Sequence, residues 1–311
     1  MILTRMAAGL MALALGALPL RAEAPRVVTD IAPVHSLVAQ VMQGAGTPDV
    51  ILPPGASPHG YALRPSLARD LQQAQIVFWI GEALTPWLET PLESLASQAQ
   101  LIELVEAPGT TQLQFRHGAT LEEGDAEAEE HEGHEGHFHE GLDPHAWLDP
   151  ENARAWLSVI AETLAAADPE HAALYRANAE AARTELAEQS RQLAASLEAA
   201  GPVRFMVFHD AYQYFESRFG LKNLGAISDG AASSPGAARV AELRDELLEH
   251  GVDCIFAEPQ FNTGLARSLS EDAALRVEVI DPLGSALEAG PALYPALLES
   301  VARSFLACKG R

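Results

Sequence analysis

Short apolar runs alternate with longer amphipathic ones along most of the chain. "RVVTDI" (26–31) leads into "VHSLVAQVM" (34–42), "DVILPP" (49–54) into "SLARDLQQA" (66–74), and "QIVFWIG" (75–81) into "TPWLETPLESLA" (85–96), with "LIELVE" (101–106) adding a further strand-like run. Beyond Gly201 the same alternation resumes: "RFMVF" then "AYQYFESRFG", "NLGAIS" then "GAARVAELRDELLEHG", "DCIFAE" then "TGLARSLSEDAAL", and "RVEVID" then "YPALLESVARSFLA". Strands that alternate with helices in this way predict β/α units around mainly parallel sheets. At 311 residues the chain exceeds the usual reach of one hydrophobic core, so two such lobes are expected.

Two segments break the alternation. Residues 150–200 are almost pure helix former, interrupted at "DPEH", where Asp168 can cap and Pro169 can open a second helix. That second helix, from about Pro169 to Leu197, would run ~40 Å at ~1.5 Å per residue and serve as a rigid spine between lobes. From Gln112 to Leu142 the pattern collapses into an acidic, histidine-rich tract that includes "HEGHEGHFHE" (131–140), which reads as a disordered loop. The expected organisation is therefore a first lobe over 25–165 that carries the 112–142 loop, a spine over 166–200, and a second lobe over 201–311.

The N-terminus adds a destination. Arg5, the apolar run Met6–Leu20 and the small residues Ala22 and Ala24 have the layout of a secretory signal peptide over 1–24. The run is too short and too interrupted, at Pro19, for the ~20 residues that span a bilayer. Export makes an oxidising compartment, and the only two cysteines, Cys254 and Cys308, then read as one structural disulfide. Their separation is unlike the C-x-x-C of redox or metal pairs. The net charge of −23 disfavours nucleic acid and anionic lipid and favours a cationic ligand.

Polar residues stand just after several strand-like runs: His59 after "DVILPPGASP", His209 after "RFMVF", Glu258 after "CIFA" and Asp281 after "VEVI". Open α/β sheets bind ligands at the carboxyl ends of their strands, so these positions can share one crevice, joined by His145 of "DPHAWLDP". Three imidazoles and a carboxylate suit a borderline cation such as Zn²⁺, with Zn–N of about 2.0–2.1 Å. There is no H-E-x-x-H, P-loop or G-x-S-x-G motif, so the visible chemistry is binding.

The segments "GASPHGYALRPS" (55–66), "DPHAWLDP" (143–150), "VFHDAYQYFESRFGL" (207–221) and "FAEPQFN" (256–262) resemble the metal-specific periplasmic solute-binding proteins of ABC importers. The histidine-rich insert and late cysteine pair make the chain most similar to the zinc-uptake, ZnuA-like branch. The resemblance implies two β/α lobes, a rigid connecting helix and a metal held in the interlobe cleft. It carries the ligand roles to His59, His145 and His209, with Asp281 at the position of the carboxylate that completes the shell in many relatives. A glutamate that some zinc relatives carry before the first histidine is Pro58 here, which raises Asp281.

Glu258 is then expected either to orient a ligand imidazole or to cap the following helix, and Asp210 either to support a ligand or, as preferred, to cap "AYQYFESRF". His35 is expected on a helix face near the cleft, and His171 and His250 in solvent. His117, His131, His134, His137 and His139 would offer weak auxiliary sites, each limited by the entropy of ordering the tract, or the tract would be a solvated insertion. The implied partners are an inner-membrane permease with its ATPase, the zinc ion and a periplasmic metallochaperone, around a monomeric receptor. Manganese or iron delivery by the same fold is one alternative, a zinc hydrolase with an open coordination position is a second, and an adhesin or metal buffer without a transporter is a third.

Overall fold

A computed structural model describes residues 23–116, 141–228, 247, 249–261, 264, 267, 270 and 275–309. Residues 1–22, which make up most of the expected signal peptide 1–24, the tract histidines His117, His131, His134, His137 and His139, and most of the expected helical runs after Ser228 and Phe261 lie outside the described residues.

The first lobe carries β1 (Val27–Thr29), β2 (Asp49–Val50), β3 (Ile76–Trp79) and β4 (Gln100–Glu103), all parallel, in the order β2-β1-β3-β4. Three helices connect them: α1 (Ala32–Met42), α2 (Pro65–Gln73) and α3 (Glu89–Leu95). The central strands β1 and β3 are buried throughout, as strands covered on both faces must be. Strand β2 is short because Pro53 and Pro54 follow it, and proline cannot donate to a ladder.

The second lobe repeats this arrangement. Its strands β5 (Phe205–His209), β6 (Asn223–Ser228), β7 (Cys254–Ala257) and β8 (Arg276–Val279) are parallel in the order β6-β5-β7-β8. In both sheets the chain order reverses between the two central strands, which opens a crevice at their carboxyl ends. That crevice lies between β1 and β3 in one lobe and between β5 and β7 in the other.

Two long helices join the lobes, α4 (Pro150–Ala167) and α5 (Ala172–Ala200). Asp149 caps α4 by accepting from Glu151 N at 2.8 Å, with Pro150 in the first turn. The expected single spine is thus a packed pair, and α5 starts at Ala172 rather than Pro169 because residues 169–171 form the turn. Its 29 residues reach ~44 Å at ~1.5 Å per residue.

Helix α5 is tied to both lobes. Asn178 donates to the carbonyls of Val41 and Gln43 at the end of α1, and Gln189 donates to Pro295 O. Pro295 lies on the last helix, α7 (Leu293–Lys309), which follows α6 (Gln213–Phe219) in the numbering used here. One hydrophobic cluster runs from Val27 through Trp156 and Tyr175 to Phe305 and Cys308, so the two lobes share a core. The expected disulfide forms, joining Cys254 on β7 to Cys308 on α7 with Cα atoms 5.9 Å apart. Among the described residues no helix is long and apolar enough to cross a membrane.

Candidate metal centre

Each histidine of the site is delivered by a different local device. His59 sits on the loop between β2 and α2, anchored where Trp87 Nε1 donates to Pro58 O at 2.7 Å. His145 precedes a single 3₁₀ turn, Ala146–Leu148, that leads into α4. His209 is the last residue of β5, at the crevice of the second sheet.

The three imidazoles converge. Ring centroids are 5.3 Å apart for His59 and His145, 5.1 Å for His59 and His209, and 4.9 Å for His145 and His209. One ligand atom from each lies within 4.8 Å of the others. Nitrogens bound tetrahedrally at about 2.0–2.1 Å are about 3.4 Å apart, so the three would draw together to about that spacing to hold an ion. His145 and His209 are buried, and His59 is half-buried.

The electrostatics suit a cation. Burial, and then the neighbouring His209, hold His145 well below the usual imidazole range, so at neutral pH it offers a lone pair instead of a proton. Asp143 Oδ1 lies 2.7 Å from His145 Nδ1, which assigns that nitrogen the proton and leaves Nε2 buried with no hydrogen-bond partner. Burial in turn pushes the Asp143 carboxyl up to about 7. Trp147 and Phe261 flank the rings at centroid distances of 5.3 Å and 5.6 Å from His145 and His209.

The acids expected near the site take different places. The register of β5 and β7 pairs Val207 with Phe256, so its continuation sets His209 beside Glu258. Glu258 is buried, and its Oε1 lies 3.6 Å from His209 Nδ1, close enough to bias the ring without a formed hydrogen bond. Asp281 follows β8 and accepts four hydrogen bonds, from Gln260 Nε2, Leu283 N, Ser285 N and Ser285 Oγ. It is not within the 4.8 Å cluster that the histidines form.

Two expectations fail. Asp210 does not cap α6, whose N-cap is Tyr212; it forms an ion pair with Arg116, which also binds Glu216 at 2.7 Å. Asp210 precedes that N-cap by two residues, and its carboxylate is taken up by the guanidinium. His171 is not in solvent, because Asp168 at the α4–α5 turn takes its Nδ1 at 2.7 Å and the Tyr175 hydroxyl at 2.8 Å. His35 is buried on α1, with Nε2 3.1 Å from Pro48 O.

Sequence reasoning missed Asp143, Gln260 and Arg116. Asp143 had a signal in the D-x-H spacing of "DPH"; Arg116 had none, since its partners lie 94 and 100 residues away.

Two parallel α/β lobes bridged by long helices, with a buried three-imidazole site where they meet, define a bilobed metal-capture protein. The family described as "Zinc-uptake complex component A periplasmic", ZnuA, matches residues 27–308, and the chain belongs to it. It is 42% identical over 313 residues, covering 96% of each chain, to the high-affinity zinc uptake system protein ZnuA of Paracoccus denitrificans. The Brucella abortus protein of the same name is 40% identical over 311 residues, covering 93% of each. A crystal structure of ZnuA shares the fold with a TM-score of 0.76 at 22% identity, over 92% of this chain and 100% of that one.

Proposed function

We propose that the chain captures Zn²⁺ between its lobes and hands it to an ABC importer for zinc uptake. As a family member it is a periplasmic, high-affinity zinc-binding component of such a system and not an enzyme. The observation that carries the reading is the convergence of His59, His145 and His209, with His145 Nε2 buried and unbonded among them. Three imidazole donors favour a borderline cation over manganese, which prefers more oxygen donors.

In this reading the three histidines are ligands, Asp281 is the acid that completes the site, and Glu258 orients His209. The receptor works as a monomer that docks on an inner-membrane permease with its ATPase, with a periplasmic metallochaperone as a further partner. His117, His131, His134, His137 and His139 serve as weak auxiliary sites that feed the tight one.

Elemental analysis with competitive zinc titration of His59→Ala, His145→Ala, His209→Ala and Asp281→Ala tests the assignment. Each histidine variant should lose the tight site. Undiminished tight binding in all four would sink it.

A further inference from the structure

Between β4 and α4 the first lobe sends out a short antiparallel ribbon. Gln114 pairs with Leu142, Phe115 N donates to Gly141 O at 3.0 Å, and Asp143 N donates to Leu113 O at 2.8 Å. The base of the ribbon is rooted in the first lobe and on α4. Gln112 Nε2 donates to Val105 O at 2.9 Å, and Asn152 exchanges two hydrogen bonds with the backbone of Thr111. One strand carries Arg116, and the other leads through Asp143 into the ligand His145.

The second lobe grips this ribbon from α6. Tyr214 accepts from Leu113 N at 2.9 Å and donates to Asp143 O at 2.8 Å, so one hydroxyl holds both strands. Arg116 reaches further. Its Nε and Nη2 donate to the two oxygens of Asp210, and its Nη1 and Nη2 to the two oxygens of Glu216, a fork on each carboxylate.

Asp210 matters because of its neighbour. It directly follows the ligand His209, and Ala211 N donates back to His209 O at 2.9 Å, so Asp210 sits in the turn that ends β5 at the site. Among the described residues its carboxylate takes its hydrogen bonds from Arg116 alone. Without the guanidinium, Asp210 and Glu216, both largely buried and each within reach of the other's charge, would repel one another beside His209. The charge of Arg116 also acts on Asp143, the carboxyl bonded to the His145 ring.

We propose that Arg116 is a positioning residue of the metal site: by clasping the first-lobe ribbon to Asp210 and Glu216 it holds His209 in register with His145 and slows escape of the ion. The inference rests on the three-histidine reading above. The clasp spans the lobes beside two of the three ligands, so parting the lobes there has to break it or carry the ribbon along. Arg218, on the same helix, supplies the contrast. Its fork, at 2.8 and 2.7 Å, is made to Asp149 at the start of α4, and not to the ribbon or to a residue beside His209.

The test compares full-length mature wild type with Arg116→Met, Arg116→Lys, Arg218→Met and His145→Ala. Zn²⁺ dissociation is timed by stopped-flow capture with excess chromophoric chelator, ligand geometry is read from the visible spectrum of the Co²⁺ form, and folding from melting of the metal-free protein. Arg116→Met should release Zn²⁺ about tenfold faster and shift the Co²⁺ bands. Arg116→Lys, a point charge without the fork, should fall between it and wild type. Arg218→Met should lower the melting temperature while its dissociation rate and Co²⁺ bands stay those of wild type.

A wild-type dissociation rate and Co²⁺ spectrum in Arg116→Met, while His145→Ala still loses tight binding, overturns the clasp alone. Equal acceleration in Arg116→Met and Arg218→Met also overturns it, since the site would then answer to any loosening of α6. Tight binding that survives in His145→Ala overturns the three-histidine reading itself. Should Arg116→Met melt too low to be loaded, Arg116→Lys decides, and a wild-type dissociation rate there overturns the proposal.

Discussion

One carboxylate oxygen, Asp143 Oδ1, accepts from both the backbone nitrogen of His145 at 3.0 Å and its ring Nδ1 at 2.7 Å. The two bonds hold the turn and the imidazole on one carboxylate, so the ring cannot rotate without losing its Nδ1 partner. Asp143 is itself held, because Tyr214 donates its hydroxyl to the Asp143 carbonyl at 2.8 Å. Tyr214 lies on α6, directly after the strand that ends in His209, so His145 and His209 are set by one connected frame.

Asp143→Ala should therefore weaken zinc binding by roughly ten- to a hundredfold, the usual loss when the partner of a ligand imidazole is removed. Asp143→Asn should recover part of the loss, since its amide oxygen can still accept from Nδ1. Isothermal titration with a competing chelator measures both, and wild-type affinity in the alanine variant would rule out the orienting role.

Arg116 closes a second link across the molecule. It donates Nε to Asp210 Oδ2 at 3.0 Å and Nη1 to Glu216 Oε2 at 2.7 Å, and both carboxylates are largely buried. Removing one partner of a buried pair strands the other charge, at a cost of about 3–5 kcal/mol. The guanidinium is partly exposed, so we expect Arg116→Met to fall near the low end, about 3 kcal/mol. Adding Glu216→Gln should return part of that loss. Chemical denaturation of the two variants and wild type checks the order; equal stabilities would refute the buried pairing.

The fold was legible because parallel strands covered on both faces appear as unbroken apolar runs. "IVFW" and "CIFA" are buried at every position and stand out from the helices around them. His59 and His209 were legible for a related reason, since chemistry in such sheets collects just past strand ends. What could not be read depends on contacts distant in sequence. Asp210 reads as a cap until Arg116, 94 residues earlier, is placed against it. Gln260 reads as one more polar loop residue until Asp281 is seen to fix its amide. His171 reads as solvated because nothing in "DPEH" shows that the turn folds Asp168 back onto it.

The Cys254–Cys308 bridge should act on stability and not on the site. It closes a sequence separation of 54 residues, for which chain entropy gives about 4 kcal/mol. The double variant Cys254→Ala/Cys308→Ala should melt well below wild type, with zinc affinity within about threefold, because neither cysteine lines the pocket with the histidines. Melting curves and a zinc titration decide it: equal melting temperatures would contradict the entropic argument, and loss of the tight site would show that the bridge shapes it.

Asp30 gives the first lobe a pH dependence of its own. It stands at the carboxyl end of β1, fully buried, with Oδ1 accepting from Ile31 N and Oδ2 from Ile80 N, both at 2.8 Å. It thus staples the two central strands at the crevice that His209 and Glu258 occupy in the other sheet. Burial pushes its carboxyl up from 3.8 to about 7, against the lowering effect of those two backbone bonds. The folded protein therefore keeps a proton on Asp30 through a range in which the unfolded chain has released it, and ∂ΔG/∂pH is negative there. The stabilisation is complete below the unfolded value near 3.8 and is lost as pH rises through about 7. Asp30→Asn removes the titration and keeps one acceptor for the backbone. We expect the wild-type stability, measured relative to this variant by urea denaturation of metal-free protein, to decline from about pH 4 to about pH 7 and then level off. A difference that stays constant across that range, or rises with pH, would show that Asp30 is ionised in the fold and that its two backbone donors outweigh its burial.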